Sequence, residues 1–161
     1  RRVAAFSVPT PTGRIYQERM AGFRLAHERH GVPVREEFIV RNPENLTRGD
    51  RGRLLTPILQ REDRPTAIVG TDQADGCEAI AACDALGLRV GQEVSVIAGG
   101  IHPHIEPPNL DRLSCMDEGR PDRMGELAVR ILTQPQARLS PTQVWLQPGF
   151  IDRGSIAPPA T

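Results

Sequence analysis

The chain has 161 residues, of which 39% are hydrophobic and 25% are charged, a composition that suits one globular domain with its own core. Its 20 basic and 20 acidic side chains give a formal net charge of +0, so it lacks the basic footprint of a nucleic-acid-binding surface. Every one of the 20 basic side chains is arginine. The absence of lysine excludes Schiff-base chemistry and a P-loop lysine.

Cysteine content and apolar run length indicate the compartment. The three cysteines form no C-x-x-C pair, which favours free, buried thiols in a reducing cytoplasm. No apolar run approaches the ~20 residues that span a bilayer, and no signal peptide opens the chain. We therefore expect a cytoplasmic protein without membrane contact. The abrupt start at Arg1 suggests a piece of a longer polypeptide.

Apolar runs alternate with helical spacing through the first half of the chain. Residues 3–8 predict a strand that ends in a Pro- and Gly-rich loop. Residues 15–30 predict a helix, which the following glycine and proline terminate. Residues 37–40 predict a second strand. A second helix is predicted at residues 54–59, although Pro57 disfavours a helix interior there.

The same alternation continues to the end of the chain. Further strands are predicted at residues 67–70, 94–98, 110–115, 144–146 and 150–151. Further helices are predicted at residues 74–86 and along an apolar stripe formed by Met124, Leu127, Ala128, Ile131 and Leu132. Alternating strands and helices predict an α/β fold: a doubly wound, mostly parallel sheet with helices on both faces.

A polar pair follows the strand predicted at residues 67–70. Thr71 and Asp72 stand between this strand and the next helix, and open α/β sheets bind ligands at the carboxyl ends of their strands. Both residues are therefore candidates for ligand contact. Asp72 also suits the N-cap of the helix, a role worth ~1 kcal/mol.

Six short blocks occur in an informative order. They are Arg-Val-Ala-Ala-Phe at residues 2–6, Arg-Met-Ala-Gly-Phe at 19–23, the strand–helix–strand block at 65–97, Pro-Pro-Asn-Leu at 107–110, Met-Gly-Glu-Leu-Ala at 124–128 and Arg-Gly-Ser-Ile-Ala-Pro at 153–158. One block alone is a weak signal, whereas six in order are specific. The chain resembles the effector domain of the LacI/GalR-type bacterial transcription regulators.

The resemblance implies a two-lobed, sugar-binding-protein-like core that follows a helix-turn-helix headpiece and a hinge helix. The motif order implies that residues 1–161 form the C-terminal lobe and closing strands, one lobe of a type I periplasmic-binding-protein-like fold. The headpiece and most of the N-terminal lobe would then be absent, so operator DNA would be contacted only through the missing headpiece. The implied partners are a carbohydrate-like small-molecule effector and a second copy in a homodimer, with no cofactor.

The resemblance also implies effector contacts. Arg19 matches an arginine that reaches into the ligand cleft, and its planar fork of donors suits vicinal hydroxyls or a carboxylate; the alternative is a surface ion pair. Thr71 and Asp72 stand where the family usually has Asn-Asp. Gly100 occupies the place of an aspartate that binds sugar hydroxyls. An effector that is larger, more apolar or anionic is therefore an alternative to an ordinary monosaccharide.

The implied dimer interface uses the third helix and the loop after residue 100. Its predicted residues are Cys77, Ile80, Ala81, His104 and Ile105. The same loop contains the pattern His102-x-His-x-Glu106, which has the spacing of metal ligands. Prolines within and after the pattern indicate an irregular loop without a defined ligand set, so a loop or interface role is preferred and no metal is expected.

Two other classes of protein are alternatives to a transcription regulator as interpretations of this sequence. A solute-binding protein of a sugar transporter shares the two-lobed fold, and an upstream signal peptide would favour it. An enzyme using the histidine loop together with Cys115 would carry stoichiometric metal. The sequence contains no G-x-S-x-G, H-E-x-x-H or G-x-G-x-x-G pattern, and we therefore predict that the chain is not an enzyme.

Overall fold

The computed structural model describes residues 2–10, 13–43, 46–47, 49–100, 106–117, 121–133 and 146–158. The strands are β1 (Val3–Thr10), β2 (Ile39–Pro43), β3 (Ala67–Gly70), β4 (Ser95–Ala98), β5 (Ser114–Asp117) and β6 (Gly149–Ile151). The helices are α1 (Arg14–Arg29), α2 (Thr56–Leu59), α3 (Gln73–Ala85) and α4 (Pro121–Thr133).

The six strands form one sheet in the order β2-β1-β3-β4-β5-β6. All neighbouring pairs are parallel except β5 and β6, which are antiparallel. The chain leaves β1 toward one edge of the sheet, to β2, and then returns to build the other half from β3. This reversal places a topological switch point between β1 and β3, where doubly wound sheets form their ligand crevice.

Helices cover both faces of this sheet, which confirms the predicted fold class. Consecutive strand residues point to opposite faces. Phe6 accordingly joins the larger core with α3 and α2, whereas Ala5 packs with Met20 and Phe23 of α1. The larger core is fully buried and includes Leu55, Ile68, Ile80, Val94, Val96 and Leu113.

Several predicted boundaries shift for local reasons. The second strand begins at Ile39 because residues 36–38 form a 3-10 turn, and residues 110–112 form another before β5. Pro57 lies in the first turn of the four-residue α2, where a helix needs no amide donor. Leu146 lies outside any strand, and the rest of the strand predicted at 144–146 falls outside the described residues.

The start of α3 lies directly against the ends of β3 and β4. A Cβ atom at Gly76 would come within 2.8 Å of the Ala98 Cβ and 2.7 Å of a Leu113 methyl carbon. A Cβ at Gly70 would come within 2.9 Å of the Gly76 nitrogen. The helix reaches this position because both residues lack a side chain, and this contact brings its N-terminus to the carboxyl edge of the sheet.

The closing segment of the chain is joined to β4 and β5 by Ser155. Its carbonyl accepts a hydrogen bond from the Val96 amide at 2.8 Å, and its hydroxyl donates to the Val96 carbonyl at 2.6 Å. The same hydroxyl oxygen accepts from the Ser114 amide at 2.8 Å. Ser155 is itself buried. Ser155 therefore bridges β4 and the start of β5.

The apolar stripe of α4 is largely exposed. Met124 and Leu132 present most of their surface to solvent, Ala128 is also exposed, and Leu127 and Ile131 are half-buried. The helix forms as predicted, with strong segregation of apolar and polar residues along one face. Among the described residues, no helix is long and apolar enough to cross a membrane.

The three cysteines are free and buried, as their number and spacing predicted. Burial raises the pKa of Cys83 to about 12 and that of Cys77 to about 11. The thiolate is the reactive form of cysteine. Both thiols are therefore protonated and unreactive at neutral pH, which gives them a packing role in the core.

Candidate functional site

A cavity of about 520 Å³ lies between α1 and the sheet, at the switch point between β1 and β3. Its floor is a row of residues in cross-strand register, Ala5, Val69 and Ile97. The other described lining residues are Arg19, Met20, Phe23, Ala26, Gly70, Thr71, Ala98, Gly99, Met116 and Pro148. Its volume is within the range of small-molecule sites.

Arg19 projects from the second turn of α1 into this cavity. The helix is capped by Gly13 and His30 at its two ends, and Gly31 then adopts a left-handed φ of +63°, the usual backbone for a residue that closes a helix. The Arg19 Nη1 donates to the Thr71 carbonyl at 2.5 Å, and its guanidinium lies 5.8 Å from the centre of the Tyr16 ring. The structure thus brings Arg19 and Thr71 together, at the end of β3.

Thr71 is held from the other side of the sheet by a buried carboxylate. Its hydroxyl donates to Asp75 Oδ2, and the other carboxylate oxygen accepts from Arg51 Nη1 at 3.0 Å. The side chain of Asp75 is 1% exposed and that of Arg51 is 20% exposed. With the Asn42 amide assigned so that its oxygen faces Arg51, the Arg51 Nε donates to it at 3.0 Å.

These contacts form a continuous polar chain beneath the cavity. It runs from Asn42 at the end of β2, through Arg51 and Asp75, to Thr71 at the end of β3, and from the Thr71 carbonyl to Arg19. Buried carboxylates are tolerated when they are paired and hydrogen-bonded. This chain of polar contacts fixes the backbone and side chain of Thr71. The Thr71 carbonyl in turn accepts the hydrogen bond from Arg19.

Asp72 is the N-cap of α3, the structural role that its sequence position also predicted. Its Oδ1 accepts from the Asp75 amide at 2.9 Å, which satisfies one of the free amides of the first helical turn. Asp72 is not among the described residues that line the cavity. Its effector contact stays a prediction.

Gly100 lies two residues beyond β4, next to the cavity-lining Gly99. It is buried and adopts a left-handed φ of +66°, a backbone conformation that favours glycine. The position therefore offers a ligand only main-chain groups. Its effector contact also stays a prediction.

The predicted dimer residues on α3 need correction. Ile80 is 0% exposed and Cys77 is 3% exposed, because both side chains pack in the core against the sheet. Neither side chain can reach a partner, whereas Ala81 is exposed on the same helix. His104 and Ile105, like His102 of the metal-like pattern, lie outside the described residues. No group of three or more potential metal ligands occurs in the part of the chain that the structure describes.

The sequence analysis missed three members of the polar chain: Asn42, Arg51 and Asp75. One signal was available, since Asp75 is an acid inside the helix segment Ala74-Asp75-Gly76-Cys77, whose other residues are small or apolar. A charged residue on a buried helix face requires a partner. Its partner, Arg51, is 24 residues away in sequence, and no local pattern indicates such a pairing.

The comparison with family models is decisive. Residues 1–156 match the model of the periplasmic binding protein-like domain. The chain belongs to this family. This match, together with the related regulators described next, identifies the chain as an effector-binding domain of the LacI/GalR type. The six sequence blocks indicated the same family.

Curated relatives of this LacI/GalR-type domain are transcription regulators. One is the HTH-type transcriptional repressor PurR of Yersinia pestis bv. Antiqua (strain Antiqua), which is 31% identical over 142 residues. The match covers 86% of this chain and 40% of PurR. The domain therefore spans less than half the length of the curated relatives it matches.

Solved structures show the same fold. A LacI-family regulatory protein from Chloroflexus aggregans aligns with a TM-score of 0.74 at 26% identity, over 97% of this chain and 55% of that protein. The regulator CelR in complex with cellobiose aligns with a TM-score of 0.67 at 22% identity, over 96% of this chain and 46% of CelR. At 22% identity, the similarity to CelR supports the fold alone.

Proposed function

We propose that this domain is the effector-sensing and dimerisation portion of a LacI-type transcription regulator in the cytoplasm. A small molecule binds in the cavity beside Arg19 and modulates the affinity of the full-length protein for operator DNA. DNA contacts belong to a headpiece outside residues 1–161, which agrees with the zero formal net charge of this chain. Sugars are the ligand class that the family resemblance suggests.

The observation that carries the proposal is the position of Arg19. A charged side chain lines an otherwise largely apolar cavity at the switch point of a doubly wound sheet, and it is oriented there by the Thr71 carbonyl. A few directed polar groups in an apolar cavity are typical of small-molecule sites. The buried chain from Asn42 to Thr71 supports this geometry from below.

A ligand at this position is suited to control a second lobe. The cavity opens at the carboxyl ends of the strands, and in a two-lobed protein this edge faces the other lobe. An effector that binds one arrangement of the lobes more tightly shifts the population toward it, by no more than its difference in affinity for the two arrangements. The coupling between effector and DNA is then reciprocal.

The transporter alternative is disfavoured by the relatives. The periplasmic binding protein-like fold by itself fits a solute-binding protein equally well. The curated relative and the structure from Chloroflexus aggregans described above, however, are regulatory proteins. A helix-turn-helix upstream of this domain in the gene product would support the proposal, and a signal peptide there would contradict it.

A thermal-shift screen of the full-length protein tests the site. We expect at least one compound from a panel of sugars, nucleobases and small organic acids to raise the melting temperature of the wild type by a few degrees, since a ligand at ~100 times its Kd adds ~2.7 kcal/mol of stability. Arg19→Gln should lose this response because it removes the charge in the cavity.

Arg14→Gln is the matched control for that screen. Arg14 lies on the same helix, is 89% exposed and pairs with Glu18 through its Nε at 2.9 Å. The control should respond like the wild type. Equal responses of all three proteins to every stabilising compound would place the ligand elsewhere and refute the site.

A further inference from the structure

We infer that Arg51 is a positioning residue for the effector cavity. It holds the Arg19 guanidinium in place through two intermediate residues, Asp75 and Thr71. Arg51 belongs to a segment that packs against α3, on the face of the sheet opposite to α1, and it is not among the described residues that line the cavity. The inference deepens the proposed function and rests on it only for the identification of the cavity as the effector site.

The segment 49–52 is anchored on the first turns of α3 by two carboxylates. Glu78 accepts hydrogen bonds from two backbone amides of the segment, at 2.6 and 2.9 Å. Asp75, one turn before Glu78, accepts from Arg51 Nη1 at 3.0 Å. Residues three apart on a helix lie on the same side. The backbone of the segment and its arginine side chain therefore dock together on one strip of α3.

Close packing holds both sides of this contact. A Cβ atom at Gly52 would come within 2.9 Å of the Glu78 carbonyl oxygen, and α3 itself packs tightly on β4 at Gly76. The side chain of Asp75 is 1% exposed and that of Arg51 is 20% exposed. A charge-assisted hydrogen bond in such a setting is strong. It therefore holds the carboxylate in one orientation between two closely packed backbones.

Asp75 transmits this restraint to the cavity. Its Oδ2 accepts a hydrogen bond from the Thr71 hydroxyl, and the Thr71 carbonyl accepts from Arg19 Nη1 at 2.5 Å. A change in the orientation of the carboxylate therefore changes the position of the acceptor for Arg19. Polar groups of a binding site depend on supporting contacts behind them for their geometry. We thus expect Arg51 to influence the orientation of Arg19 across the sheet.

The alternative is that Arg51 only stabilises the fold. Leu59→Ala provides a control for that role, because Leu59 is 2% exposed and packs in the core beside α3, and it does not belong to the described lining of the cavity. Its truncation destabilises the fold by leaving a cavity in the core. The effects of substitutions at sites without shared partners add, so Leu59→Ala should leave the contribution of Arg19 unchanged.

A double-mutant cycle on the full-length protein separates the two roles. The shift of the urea midpoint that Arg19→Gln causes is measured in the wild type, in Arg51→Gln and in Leu59→Ala. We expect Arg51→Gln to reduce this shift at least roughly twofold, because Arg19 then no longer has an acceptor held in one orientation. Where Arg51→Gln does not fold, Arg51→Lys takes its place in the cycle.

The methyl signal of Thr71 in a carbon-13 NMR spectrum reports the same contacts in the folded state, and its loss in Thr71→Ser assigns it. The signal should move in Arg51→Gln and, by less, in Arg51→Lys, which keeps the charge but not the planar fork. It should stay in place in Leu59→Ala. Arg112→Gln is the matched control and should also leave it in place, since it breaks an exposed ion pair with Asp84 on the same helix.

Two outcomes would overturn the inference. One is a Thr71 signal that keeps its wild-type position in every Arg51 variant that folds. The other is an Arg19→Gln midpoint shift that the Arg51 substitution reduces no more than Leu59→Ala does. Both readouts are made without a ligand, so either outcome would leave the thermal-shift test of the effector site standing. Conversely, equal thermal-shift responses of the wild type and Arg19→Gln would refute the effector site and leave the positioning of Arg19 by Arg51 intact.

Discussion

Asp75→Asn is expected to lower the free energy of unfolding of the full-length protein by about 2–4 kcal/mol, because it leaves Arg51 without its carboxylate partner at a mostly buried position. The same change turns one of the two carboxylate oxygens into a donor nitrogen, so the side chain can no longer accept from both Thr71 and Arg51. Urea denaturation followed by circular dichroism measures the loss. A double-mutant cycle with Arg51→Gln should return a coupling energy of at least ~1 kcal/mol, since the two groups share one network.

The chain contains a matched control on the same helix. Asp84 pairs with Arg112 at 2.6 Å, but its side chain is 41% exposed and that of Arg112 is 44% exposed. Solvent screens such a pair, so Asp84→Asn should cost no more than ~1 kcal/mol. Equal losses of stability in Asp75→Asn and Asp84→Asn would mean that burial does not distinguish the Asp75–Arg51 pair from the Asp84–Arg112 pair. That result would contradict the role given to the polar chain beneath the cavity.

Gly76→Ala is the second change with a large expected effect. The new Cβ would meet the Ala98 Cβ at 2.8 Å and a Leu113 methyl carbon at 2.7 Å, so α3 would have to move away from β4. Overpacking of this kind costs about 1–3 kcal/mol. The displacement would also shift Thr71 and Asp75, which lie just before and within the same turn. Urea denaturation should therefore show lower stability, and effector binding should weaken.

Gly22→Ala is the control for that change. Gly22 is in the interior of α1, and a Cβ there would meet nothing within 4 Å. Alanine is the better helix former by up to ~1 kcal/mol, so the control should be neutral or stabilising. Stability of Gly76→Ala at or above that of the wild type would show that α3 does not pack as tightly as the structure indicates.

The fold was largely predictable because its signals are local. The apolar run at residues 67–70, Asp72 as an N-cap and the helical spacing that follows each act within a few residues. Strand–helix alternation then restricts the topology, since parallel strands need crossover connections. Boundaries were less certain where a 3-10 turn precedes a strand, because one turn leaves no periodic pattern.

The site was only partly predictable. Arg19 and Thr71 were identified from a family motif and a strand end, and they are in contact. The Arg51–Asp75 pair was missed because it joins segments 24 residues apart. The dimer residues were misassigned in part: the family pattern suggested α3 as a whole, but which side chains face the core depends on its rotation against the sheet, and this rotation buries Cys77 and Ile80.

The most direct test of the account is the affinity of the full-length protein for the DNA upstream of its own gene, measured by fluorescence anisotropy with and without a compound that stabilises it. The account predicts that the compound changes the DNA affinity of the wild type and of Arg14→Gln by ~5–150-fold, the usual range of allosteric coupling, and that Arg19→Gln loses this change. An unchanged DNA affinity in the wild type, or an equal change in Arg19→Gln, would contradict the claim that a ligand beside Arg19 controls the regulator.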